Sequence, residues 1–141
     1  MITKSLFFAV SLFLGILSIN STGEILVKVK GIKNYKGYIQ VDIYKTNKGF
    51  PTSEEFAFKK LRFKVQKREN DLIINNLQHG TYAIAIYHDE NSNEKLDTNF
   101  IGIPKEKTGV SNNPNSRSIP SFSDARFDFF SSKKVLEINI K

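Results

Sequence analysis

The chain contains no cysteine, and that absence closes off several classes at once. No disulfide framework holds it together, and no lipid can be attached through a cysteine thiol. Histidine is nearly as scarce, with only His79 and His88, so a transition-metal centre is thinly supplied. After the N-terminal region no apolar run approaches the roughly 20 residues that a membrane-crossing helix needs. An internal repeat and a convincing long helix are also missing. Ser111 lies in Gly-Val-Ser-Asn-Asn, which is no nucleophile elbow, and no catalytic triad is apparent.

Charge is almost absent from the first twenty residues, where Lys4 stands alone. Leu6 to Leu17 is an apolar stretch of the length of a signal-peptide core, followed by small residues at Ser18, Ser21, Thr22 and Gly23. We read residues 1–22 as a signal peptide cut between about Ser18 and Thr22; an uncleaved anchor is the alternative. The product, residues 23–141, is then expected to be a soluble exported protein, periplasmic or secreted. It has enough chain for one domain with a single unstapled core.

The remaining charge is uneven. From Lys28 to Arg68 twelve Lys or Arg face three acids, whereas Asp89 to Asp97 carries four acids against Lys95. A basic body with one acidic loop suits anionic partners such as acidic glycans or a membrane surface, and nucleic acid suits an exported chain poorly. Lysines on outward sheet faces also serve solubility alone.

From Glu24 onward apolar and polar residues alternate with period two, the pattern of strands with one buried face. Ile25, Val27 and Val29 mark a first strand; Ile39, Val41 and Ile43 a second; Leu61, Phe63 and Val65 a third. Leu72 to Ile74 marks a fourth. The fifth, Thr81 to His88, is apolar on both sides, with Tyr82, Ile84 and Ile86 on one face and Ala83, Ala85 and Tyr87 on the other. That predicts a central strand, with something packed closely against the alanines. Ala125 to Phe130 and Val135 to Ile140 give two more. A loop with one helical turn is expected between Thr46 and Lys60. About seven strands predict an all-β, two-sheet antiparallel sandwich, with a closed barrel as runner-up and a long loop over 89–122. In Leu77-Gln78-His79-Gly80-Thr81-Tyr82, Gly80 suits a positive φ and Tyr82 a tyrosine corner. The pattern resembles the turn before a central strand in transthyretin-like and carboxypeptidase-regulatory-like sandwiches.

Chemistry concentrates after the fifth strand. Asp89, Asn91, Asn93 and Asp97 place oxygens at positions 1, 3, 5 and 9 of a loop, with the Lys95 carbonyl at position 7, the spacing of a calcium site. Position 6 is Glu94 rather than glycine, and position 12 is Phe100 rather than a bidentate acid. About five ligands predict weak affinity, on the order of 0.1 to 1 mM, with Asp124 as a further donor. The same residues are also turn formers whose side chains bond their own backbone, and the spacing does not separate the two readings.

The string Gly80-Thr81-Tyr82-Ala83-Ile84-Ala85-Ile86-Tyr87-His88-Asp89-Glu90-Asn91 is followed by Lys95-Leu96-Asp97, Gly102-Ile103-Pro104, Gly109-Val110-Ser111-Asn112-Asn113 and Ser121-Phe122-Ser123-Asp124-Ala125. In that order it resembles a widespread family of exported bacterial proteins catalogued as a domain of unknown function. Members commonly read Asp-x-Asn-Gly-Asn-Gly, where this chain has Ser92 and Glu94 in place of the glycines. The resemblance implies a signal peptide and one β-sandwich, and no activity or cofactor.

The leading expectation is a non-enzymatic structural or binding module of the cell envelope, with a calcium-stabilised loop and an envelope or extracellular ligand. A second is a hydrolase of envelope carbohydrate or lipid that uses His88, Asp89 and Asp97. A third is an adhesin-like binder of anionic glycans through Lys59, Lys60, Arg62 and Lys64.

Overall fold

The computed structural model describes residues 21–115 and 117–141, so the expected signal segment lies outside it but for its last two residues. Alternation produces β1 (Thr22–Lys30), whose Ile25, Val27 and Val29 are fully buried. β2 (Tyr38–Tyr44) follows, and then a loop with the expected single turn, a 3-10 segment at Glu54–Phe56. β3 (Lys59–Lys64), β4 (Asn70–Gln78) and β5 (Gly80–Asp89) come next. A short β6 (Thr108–Val110), a four-residue helix α1 (Phe122–Ala125), β7 (Phe127–Phe129) and β8 (Lys133–Asn139) complete the order.

The expected two-sheet sandwich is what these strands form. One sheet runs β4-β1-β8 and the other β3-β2-β5-β6, with β7 paired to the start of β5. One pairing departs from the antiparallel expectation: β1 and β8 run parallel, from Glu24 opposite Lys133 to Lys30 opposite Asn139. Period-two patterning reports which face is buried, and both kinds of pair bury one face, so direction leaves no trace in it.

Between the sheets, Ile25, Val27, Val29, Leu72, Ile74 and Ile138 meet Ile39, Val41, Ile43, Tyr82, Ile84 and Ile86. Each such side chain contributes about 1.5–3 kcal/mol of burial, and every member of this core lies between residues 25 and 140.

The opposite face of the second sheet is covered as well. Ala83 and Ala85 of β5 lie under Tyr44, Val110 and Ala125, with Phe50 and Phe122 packed against them. Ser111 ties this layer together: its Oγ accepts from the Ile84 N–H at 3.0 Å and donates to the Ala125 carbonyl at 2.6 Å. The alanines leave room for that approach.

Three expectations need correcting. Gly80 has no positive φ; the left-handed residue near this turn is Asn76, at φ 55°. Gly80 is instead where the Tyr82 ring lies, as a Cβ there would touch it at 3.4 Å. The tyrosine corner itself holds, with the Tyr82 hydroxyl donating to the Gln78 carbonyl at 2.8 Å. The segment 89–122 is not structureless, because it contains β6 and a Thr98–Pro104 bridge. The expected strand over 125–130 begins as the end of α1, because Ser121 and Asp124 form a capping box.

Candidate functional site

β5 delivers His88 and Asp89 to the edge of the core, and both are completely buried. His88 Nε2 lies 2.8 Å from the Lys36 carbonyl, and Nδ1 has no hydrogen-bond partner among the described residues, with Glu90 at 3.7 Å. Gly37 sits against the same corner at φ 68°, where a Cβ would collide with the Asp89 carbonyl. The chain can leave the strand here only because that residue has no side chain.

The Asp89 carboxylate organises the loop that leaves β5. Oδ1 accepts from the Asn93 N–H and Oδ2 from the Glu94 N–H, each at 3.0 Å. Arg62 Nη2 sits 3.1 Å from Oδ2, and Nη1 2.8 Å from Glu94. Accepting those two N–H groups bends the chain tightly, so Ser92 and Glu94 take φ of 62° and 64°. A residue with a Cβ is strained there, and for Glu94 the ion pair with Arg62 offsets the strain.

Asn91, Asn93 and Asp97 converge. Asn91 Nδ2 donates to Asp97 Oδ2 at 2.6 Å, and Asn93 Nδ2 to Oδ1 at 3.0 Å. Asn91 Oδ1 accepts from the Asn93 N–H at 3.1 Å and Asn93 Oδ1 from the Lys95 N–H at 2.9 Å, as in Asx turns. Positions 3, 5 and 9 thus share one site while position 1 turns away to Arg62. Among the described residues no group of three or more His, Cys, Asp or Glu side chains gathers to hold a metal, so any cation site here depends on the asparagine oxygens.

The sequence reading missed Glu106. Its Oε1 accepts from the Glu90 N–H at 3.2 Å and Oε2 from the Asp97 N–H at 3.1 Å, clamping both ends of the acidic stretch. Burial pushes its pKa up, while the two N–H bonds pull it back. The only local signal was an acid shortly after Gly-Ile-Pro.

Beyond Asp97 the chain makes a projecting turn. Asn99 Oδ1 accepts from the N–H of Ile101 at 3.0 Å and of Ile103 at 2.9 Å, and the Asn99 N–H bonds the Ile103 carbonyl at 2.8 Å. The tip so fixed exposes Phe100 by 98%, Ile101 by 64% and Ile103 by 54%. Beside it is a cavity of about 310 Å³, lined by all four prolines of the chain (Pro51, Pro104, Pro114 and Pro120) with Tyr87 and Leu96.

On the covered face, Asp42 is buried opposite Ala85 and Lys60. Burial pushes its carboxyl up to about 6, partly offset by the 3.2 Å bond from Gln40; Glu54 raises it further and Lys60 lowers it. The Tyr44 and Tyr87 hydroxyls are buried without partners among the described residues, and burial raises the pKa of both.

The other candidates are not assembled. His88 and Asp89 are closed off from solvent, and both oxygens of Asp97 hold asparagine amides. Lys59 donates to the Asn75 carbonyl, while Lys60 pairs with Glu54 and Arg62 is engaged at Asp89. Since strand neighbours point to opposite faces, Lys59 lies across the sheet from Lys60, Arg62 and Lys64 and the four make no single basic face. Asp124 is held by Ser121 in the capping box, which lowers its pKa.

No curated protein and no solved structure matches the chain. A family model described as an uncharacterized protein conserved in bacteria, DUF2141, matches residues 27–137, from β1 to β8. The chain belongs to that family.

Proposed function

We propose that the domain is a non-enzymatic structural or binding module of the cell envelope, and that the stretch 89–106 is its presented element. The observation that carries this reading is the engagement of the acids. Asp89 and Glu94 hold Arg62, Asp97 holds two asparagines, and Glu106 holds two backbone N–H groups. A general acid or base must reach a substrate proton. These carboxylates serve loop shape instead.

The same loop is proposed to take calcium weakly. Asn91, Asn93 and Asp97 already converge; turning over the two amides would present oxygens, and the Lys95 carbonyl would add one more. Asp89 would stay with Arg62, and waters would complete the 6 to 8 oxygens that calcium takes. Thermal melting with millimolar calcium and with EGTA tests this. A rise in melting temperature that disappears in Asp97→Asn supports the ion, whereas no shift at several millimolar calcium removes it. Asp89→Asn tests the module. Loss of stability with no turnover on envelope substrates in either protein supports it, and turnover by the wild type abolished in a folded variant overturns it.

A further inference from the structure

We infer that the turn from Asn99 to Ile103 is a membrane-docking finger whose apolar tip enters the headgroup region of a bilayer carrying anionic lipid. This deepens the envelope-module reading by naming the partner, and it does not depend on the loop taking calcium.

The finger is an exposed apolar tip on a stiff support. An open, flexible loop would fold Phe100 and Ile101 back onto the protein, because exposed large apolar side chains in sequence gain by any contact. Here the four hydrogen bonds made by Asn99 within the turn and the Thr98–Pro104 bridge hold them out, and a Cβ on Gly102 would meet nothing within 4 Å. The base is anchored in turn: the Lys105 N–H donates to the Asp97 carbonyl, and the Asp97 N–H donates to Glu106. Ile119, 67% exposed, adds to the same surface, since it lines the cavity together with Gly102 and Pro104.

Charge around the finger points to the kind of surface. The nearby acids are engaged by the protein itself, although Glu94 stays largely exposed: Asp89 and Glu94 hold Arg62, Asp97 holds two asparagines, and Glu106 holds backbone N–H groups. Glu90 receives Asn34. Lys95, Lys105 and Lys107 are left without an ion pair among the described residues, on a chain of net charge +7. An apolar tip with unpaired lysines on the chain to either side of it matches an interface in which acyl chains lie beneath anionic headgroups. A protein partner needs a broad fitted patch of about 800 Å² a side, more than the exposed side chains of Phe100, Ile101, Ile103 and Ile119 supply. A fluid lipid surface needs no fitted groove.

The test uses residues 21–141, which contain every described element of the sandwich, with vesicles of phosphatidylethanolamine and phosphatidylglycerol. Co-sedimentation is expected, weakened at least tenfold in the double variant Phe100→Ser, Ile101→Ser at an unchanged melting temperature. The pair Lys105→Gln, Lys107→Gln should weaken it severalfold and flatten its salt dependence. Because the chain has no tryptophan, Phe100→Trp gives a single reporter whose emission should shift to the blue on vesicles. Three results overturn the inference: no binding at millimolar lipid, wild-type binding by the serine variant, or a reporter shift that follows protein concentration without lipid, which would mark a contact between copies. Vesicle binding by purified protein does not depend on where the cell places it. Fractionation of the producing cell tests the envelope reading separately.

Discussion

Arg62 reaches across β2 to Asp89, its guanidinium lying 3.7 Å above the centre of the Tyr38 ring and its Nη2 3.1 Å from Oδ2. The two residues stand on strands that are not neighbours, and Tyr38 fills the gap between them. Arg62 therefore supplies inside the protein the positive charge that the acidic stretch needs. A planar guanidinium can stack on the ring and hold two carboxylates at once, which an ammonium cannot.

Removing Arg62 leaves Asp89 charged, buried and unpaired. Arg62→Met is expected to lower stability by about 3 kcal/mol in urea unfolding, and Arg62→Lys to recover little of it. Adding Asp89→Asn to Arg62→Met should restore part of the loss, a coupling that a double-mutant cycle measures.

Ser92 and Glu94 share a backbone conformation and differ in what the side chain does. Ser92→Gly relieves a left-handed residue and should raise stability by about 0.5–1 kcal/mol. Glu94→Gly relieves the same strain and loses the Arg62 contact, so its gain should be smaller or absent. Melting curves of the two variants side by side read the difference.

Asp42 makes stability fall as pH rises. Its folded pKa of about 6 lies above the ordinary carboxylate value of 3.8. The folded state favours the protonated acid, so its contribution is complete below about pH 4 and is lost as pH rises through 6. The loss is on the order of 3 kcal/mol. Asp42→Asn should match the wild type near pH 4 and exceed it at pH 7.5, in denaturation followed across that range.

Ser111 and Tyr82 test the two polar ties of the sandwich. Ser111→Ala leaves the buried Ile84 N–H without its side-chain acceptor and the Ala125 carbonyl without its donor. It should cost about 1–3 kcal/mol, while Tyr82→Phe should cost about 1 kcal/mol by removing one bond to the Gln78 carbonyl. Chemical denaturation of both variants gives the values.

Much of the fold was legible in the sequence because burial imposes a period. Ile25, Val27 and Val29, or Ile39, Val41 and Ile43, announce a strand and its inward face together. β6 was not, since Thr108, Gly109 and Val110 are too few to show alternation and pair only because Ala85 to Tyr87 are there. Gly80 misled because a glycine in a turn-like string suggests a left-handed residue, while here the left-handed residue is Asn76 and a Cβ at Gly80 would only touch the Tyr82 ring. In the candidate site, local features could be read: the spacing of Asp89, Asn91, Asn93 and Asp97, and the misplaced side chains at Ser92 and Glu94. The partners that give those features meaning, Arg62 and Glu106, come from other parts of the chain. Only folding brings them in.

The parallel pairing of β1 with β8 also governs time. Glu24 finds its partner at Lys133, over a hundred residues later, so one edge of the central strand stays vacant until the C-terminal strand arrives. Closing so long a loop costs entropy before any contact returns it, and proteins dominated by such distant pairings fold slowly. A nascent chain of this kind holds its shape in suspense, because the sheet around β1 cannot be completed before β8 has been made.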